Sequence, residues 1–150
     1  MIQRKQTLFL LLAVVLSVVT LSTQIASLTT DGMTVGRVYN LLHTDMMGAS
    51  HFEVWPLFVI LLFAASVSLY TIFIYMRRMR QAMLCNIAVM AYIAWYIALI
   101  VFSKTLAPDA LNFHLSWTAV LPGVSAILCF MARKSIIADE KMVKAADRIR

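Results

Sequence analysis

Residues Val54–Phe102 read VWPLFVILLFAASVSLYTIFIYM, then RRMRQ, then AMLCNIAVMAYIAWYIALIVF. Two apolar runs flank three arginines, Arg77, Arg78 and Arg80. Each run is as long as the roughly 20 residues a helix needs to cross hydrocarbon. A lone run in lipid must satisfy its backbone hydrogen bonds internally, so each is expected to be a helix. The pair is then antiparallel, turning at a cationic loop that stays out of the bilayer.

Composition agrees. The chain is 62% hydrophobic and only 13% charged, against about 25% charged in soluble domains. Too few charges remain to cover the surface of a water-soluble fold of this size. Cys85 and Cys129 both fall in apolar runs near the ends assigned below to the cytoplasm, where thiols stay reduced. They are expected as small core residues rather than a disulfide.

Outward from this centre, MIQRKQT precedes an apolar run that resembles a signal peptide, but Gln24 and Ile25 stand where a cleavage site wants small residues. An uncleaved first span at about 7–26 is expected. Residues 27–53 form a polar outer loop punctuated by Gly32, Gly36 and Gly48, with Val35, Val38 and Tyr39 favouring extended structure. A short hairpin or a surface turn fits it. Span two covers 54–76, with Trp55 at the interface and Pro56 in the first turn. Span three covers 82–103, and a loop with Pro108 and Asp109 follows. Span four covers 113–131 and should kink at Pro122-Gly123. In the tail, 132–150, Ala138, Met142, Ala145 and Ile149 recur at helical spacing opposite a charged face. Glu140 and Lys144 are placed to pair one turn apart. The expected fold is an all-α, four-helix transmembrane bundle, up-down-up-down, ending in a short cytoplasmic amphipathic helix. The whole chain, 1–150, forms a single integral membrane domain.

Charge placement orients it. With a cytoplasmic amino terminus, Arg4, Lys5, Arg77, Arg78, Arg80, Arg133, Lys134, Lys141, Lys144, Arg148 and Arg150 share one side, leaving Arg37 and Lys104 on the other. Such a bias places both termini in the cytoplasm.

Small or hydroxylated residues recur at three- and four-residue steps: Ala13, Ser17, Thr20 and Gln24; Ala64, Ser68 and Thr71; Ala91, Ala94 and Ala98; Ser116, Ala119, Gly123 and Ala126. A helix-packing seam explains them better than a ligand or ion path. No Asp, Glu, Lys or Arg lies within the four spans, which argues against a stand-alone pump or proton relay. Asn86, well inside span three, is expected to hydrogen-bond a neighbouring helix. Tyr92, Trp95 and Tyr96 suit helix packing better than a quinone or haem site, and no interior histidine could ligate haem.

His43, Asp45, His51 and Glu53 could ligate a transition metal, joined by His114, but their spacing matches no specific pattern and solvated loop residues are the simpler reading. No serine or cysteine has a base at a catalytic motif spacing. No catalytic residue, metal or cofactor is therefore assigned. Arg77, Arg78, Arg80, Arg133 and Lys134 either set topology or touch anionic headgroups or a partner. The tail carries no nucleic-acid-reading module.

Met1-Ile2-Gln3-Arg4 with Gln6-Thr7, and Asp139-Glu140-Lys141 with Ala145-Ala146-Asp147-Arg148-Ile149-Arg150, resemble the bacterial family known as domain of unknown function 4293. The resemblance covers the whole chain and implies a small four-span inner-membrane protein, with no activity or cofactor attached. The functional expectation is a non-catalytic accessory or scaffolding subunit of a larger membrane assembly, touching the lipid bilayer and a membrane-protein partner. A small transporter or channel component, with Pro122-Gly123 as hinge and Asn86 lining a path, is the alternative. A metal-dependent or lipid-modifying enzyme built on the His43–Glu53 loop is the third.

Overall fold

The computed structural model describes residues 3–30, 33–44, 47–74, 77–106 and 112–147. Gly32, Asp45, Pro108, Asp109 and the motifs at 1–2 and 148–150 lie outside the described residues. Four helices dominate: α1 (Gln3–Ser22), α2 (Trp55–Phe73), α3 (Arg78–Leu106) and α4 (Leu121–Asp147). All four are long and apolar enough to cross a membrane, which points to a membrane protein. α1 packs on α2 and α4, and α3 packs on α2 and α4, closing a ring.

The burial pattern explains the packing. On α1, Gln6, Leu10, Ala13, Ser17 and Thr20 face inward at helical spacing, while Leu8, Leu11, Leu12, Val15, Val18 and Val19 are exposed. On α2 the inward stripe is Leu57, Leu61, Ala64, Ser68 and Thr71, with Val59, Leu62, Phe63 and Leu69 outside. Water would drive the large side chains in and the hydroxyls out. This reversal is what an apolar solvent favours, because lipid removes the reward for burying leucine and leaves close packing and hydrogen bonding to hold helices together.

The all-α expectation fails at one end. A five-stranded antiparallel sheet in the order β4-β3-β2-β1-β5 caps the helices. Its strands are β1 (Gln24–Thr30), β2 (Met33–Tyr39), β3 (His43–Thr44), β4 (Ser50–His51) and β5 (Asn112–Leu115). β1 and β2 form a hairpin, Ala26 opposite Val38 and Thr30 opposite Met33. The expected short hairpin is thus the middle of a larger sheet, because β5 arrives from far downstream in sequence to pair Ala26 with Leu115 and Thr29 with Asn112. Ile25, Ala26, Leu28 and Val38 are buried and continue the helical core.

Three boundaries shift accordingly. Span one ends at Ser22, and Ile25 and Ala26 belong to β1. The arginine segment is not a separate loop, since Arg78 and Arg80 lie in the first turn of α3. The front of the expected fourth span is β5 followed by a 3₁₀ turn, Trp117–Val120. Pro122-Gly123 therefore opens α4 instead of kinking it, where the missing proline N–H is no loss. From there α4 continues unbroken into the tail.

Candidate functional site: a hydroxyl cluster between two sealed ends

Near the middle of the ring, all four helices contribute a polar side chain to one buried cluster. Ser17 of α1, Ser68 of α2, Tyr92 of α3, and Ser125 and Cys129 of α4 are each fully buried. The Tyr92 hydroxyl lies 2.7 Å from Ser17 Oγ and 3.5 Å from Ser68 Oγ, and Ser68 Oγ lies 3.6 Å from Cys129 Sγ. Proton counting orders these contacts. Ser17 donates to the Ala13 carbonyl at 2.8 Å and Ser68 to the Ala64 carbonyl at 2.9 Å. Tyr92 then donates to Ser17, and the Cys129 thiol to Ser68. Ser125 Oγ reaches the Leu121 carbonyl at 3.1 Å and the Ala13 carbonyl at 3.2 Å. Tyr92 and Cys129 thus donate to serine oxygens, and the serine protons go on to backbone carbonyls of their own helices, so the arrangement ties the helices together.

Each end of the ring is closed by side chains that meet orphaned backbone groups. At the sheet end, Asn40 is completely buried, donating Nδ2 to the Thr20 carbonyl at 2.7 Å and accepting from Trp95 Nε1 at 3.0 Å. Tyr96 reaches across from α3 to donate its hydroxyl to the Ala119 carbonyl at 2.8 Å, and it accepts the Gly123 N–H at 2.9 Å. That N–H is one of those a helix start leaves unpaired. A Cβ on residue 123 would stand 2.8 Å from the Tyr96 oxygen, so any larger residue would have to push the hydroxyl out of this cap. The Ser116 N–H donates to the Ile25 carbonyl at 2.8 Å, and the Thr118 hydroxyl donates to that of Gln24. At the arginine end, Gln6 donates to the Asp139 carboxylate and Gln81 to the Thr71 carbonyl at 3.3 Å. Arg78 Nη1 reaches the Asp139 carbonyl at 3.5 Å.

Between α3 and the β5–α4 segment lies a cleft of about 520 Å³, walled by Tyr96, Ile100, Ser103, Phe113, Ala119 and Val124 among others. It is almost wholly apolar.

The residues singled out from sequence fall as follows. Ala13, Ser17, Ala64, Ser68, Ala91 and Ala119 are buried between elements, and Ala98, Gly123 and Ala126 are half-buried. Ala94 is exposed on the outer side of α3, away from the seam. Asn86 is exposed too and bonds no neighbouring helix of the chain, because the buried stripe of α3 passes through Cys85 and Ala88 instead. Tyr92 and Trp95 are buried helix-packing residues, with Tyr96 set edge-on to Trp95 at 5.0 Å. Cys85 and Cys129 are free thiols in the core. Arg77, Arg80 and Lys134 are exposed, whereas Arg78 and Arg133 are half-buried. His43 and His51 stack at 5.0 Å across β3 and β4, with His43 Nδ1 buried and unpaired. His114 sits opposite Ser27 on the far edge strand, and Glu53 is exposed. Among the described residues, no three His, Cys, Asp or Glu side chains gather to hold a metal.

Sequence reasoning missed Asn40 and Thr118. In a linear reading Asn40 is an ordinary loop residue and Thr118 part of span four, and only the return of the chain onto the helix ends gives them partners.

The family model for domain of unknown function 4293 matches residues 2–149. The chain belongs to that family. No curated protein matches it. In this member of domain of unknown function 4293, the exposed end of α4 and the outward faces of the helices are the surfaces open to a neighbour.

Proposed function

We propose that this protein is a non-catalytic accessory or scaffolding subunit of a larger membrane assembly. In this reading it is a multi-pass protein of the bacterial inner membrane, its helices alternating up and down as one bundle with both termini in the cytoplasm. The sheet then lies on the opposite face. The eleven-to-two bias in Lys and Arg supports the orientation.

The observation that carries the role is the free end of α4. The helix has 27 residues, about 40 Å at about 1.5 Å per residue, longer than the roughly 30 Å hydrocarbon core. Its lower part still packs through Ala132, Ile136 and Asp139. Beyond them Lys141, Met142, Val143, Lys144 and Ala145 are exposed on every side. Lys144 pairs with Glu140 at 3.4 Å, an exposed contact that adds little. A rigid post carrying uncovered Met142 and Val143 between lysines suits a partner or the lipid surface. Arg77, Arg80 and Lys134 add headgroup attraction of about 1 kcal/mol each near an anionic leaflet.

The test is native purification in mild detergent with Met142→Asp and Val143→Asp combined. A partner that co-purifies with the parent chain and is lost from the variant, with helicity unchanged, is the expected result. No partner at all, or one equally retained, overturns the role.

A further inference from the structure

Polar groups on the outward surfaces of the helices mostly close on their own backbone. Ser66 donates to the Leu62 carbonyl at 2.8 Å, Ser103 to Ile100 at 2.8 Å and Thr105 to Val101 at 3.0 Å. Each hydroxyl thereby hides its proton from hydrocarbon. Asn86 does not. It is exposed on α3, and no described residue hydrogen-bonds its carboxamide. It follows Arg80 by six positions, about 9 Å at about 1.5 Å per residue, which carries it past the cationic rim into the apolar run.

The residues beside it form an outward stripe. Met83, Ile87, Met90, Ala94 and Ile97 are all exposed on this side of α3. Asn86, Met90 and Ala94 follow one another at single-turn spacing, so a small residue sits two turns from the amide. Small residues let a second helix come close, and methionines fill irregular gaps between surfaces. The face carries no charge between Arg80 and Lys104.

We propose that two copies of the chain pair through this face, with the Asn86 carboxamides hydrogen-bonded to each other across a twofold axis. A carboxamide carries donors and acceptors in one group, so it complements itself. Chains inserted with a single orientation can be related only by an axis along the membrane normal, which brings identical residues to the same depth. Asn86 of one copy then meets Asn86 of the other without any register search. A different partner would need its own polar group at that depth. The pairing rests on the membrane reading above but involves neither Met142 nor Val143.

Disulfide cross-linking of the full chain in native membranes tests it, with Met90→Cys introduced while Cys85 and Cys129 stay buried. Oxidation should give a band at twice the chain mass, and Leu11→Cys, on the outward face of α1, should not. Adding Asn86→Leu should lower the cross-linked fraction about tenfold, with helicity and tryptophan fluorescence unchanged. Met142→Asp with Val143→Asp should leave the band intact, which separates this outcome from failure of the scaffolding role. No dimer band, a band insensitive to Asn86→Leu, or cross-linking only to a chain of another mass overturns the proposal.

Discussion

The same device closes two helices at opposite ends of the ring, and its surroundings differ. At the carboxyl end of α1, the Asn40 amide caps the Thr20 carbonyl at 2.7 Å; at that of α2, the Gln81 amide caps the Thr71 carbonyl at 3.3 Å. Asn40 is held a second time, by Trp95 Nε1, and water reaches neither group. Gln81 lies one residue from Arg80, whose side chain is exposed. An orphan carbonyl must be paired wherever it is buried. How much the pair is worth depends on whether solvent can replace it. Gln81 and Thr71 are buried as well, so the two ends differ in what lies beside the cap: a second buried hydrogen bond at the sheet end, and exposed arginines at the other.

Trp95→Ala attacks the cap at the sheet end most severely. It removes a fully buried indole together with the hydrogen bond that steadies Asn40, and a loss of about 3–5 kcal/mol is expected. Equilibrium unfolding in mixed micelles measures it. Asn40→Ala should come next, at about 1–3 kcal/mol, because it leaves the Trp95 N–H buried and unpaired and leaves the Thr20 carbonyl only its longer contacts with Thr23, at 3.4 and 3.5 Å. A Trp95→Ala cost below that of Asn40→Ala would mean the indole contributes mainly through its hydrogen bond.

Gly123→Ala should cost about 1–3 kcal/mol, since the new methyl would collide with the Tyr96 hydroxyl that caps α4. Tyr96→Phe removes the colliding oxygen, and the next ring atom lies 3.6 Å from the added Cβ, an ordinary contact. The double variant should therefore be less destabilised than the sum of the singles. Strict additivity would show that residue 123 is restricted by something other than Tyr96.

Much of the helical body was legible in the sequence, and the sheet was not, for a physical reason. Apolar runs near 20 residues long have one solution in lipid, so the cores of all four helices could be placed from composition. Inward stripes such as Ala64, Ser68 and Thr71 follow from 3.6-residue periodicity. A strand is defined by its neighbour, and β5 reads as the front of an apolar span until it meets β1. A local signal did exist for the hairpin: Asp31-Gly32 between Thr-rich and Val-rich segments is a strong turn dipeptide. Pro122-Gly123 misled because the dipeptide marks either a kink or a helix start, and only the turn before it decides. Asn86 misled because sequence alone does not reveal which side of a uniformly apolar helix a single amide faces.

Gln81→Leu is the smallest of these effects and the sharpest test of the contrast. The substitution preserves a buried apolar stem and deletes only the amide that meets the Thr71 carbonyl. In a dry site that would repeat the Asn40→Ala penalty. Thr71 is buried here too, but the arginines beside it draw water and headgroups that can reach the carbonyl once the amide is gone. The cost should therefore stay near the average of about 0.6 kcal/mol seen for hydrogen bonds between membrane helices. Unfolding measurements on the two variants in the same micelles give the ratio directly. Equal penalties would mean that the arginine end is as dry as the sheet end, and Arg77 and Arg80 would then have to be screened by something other than water.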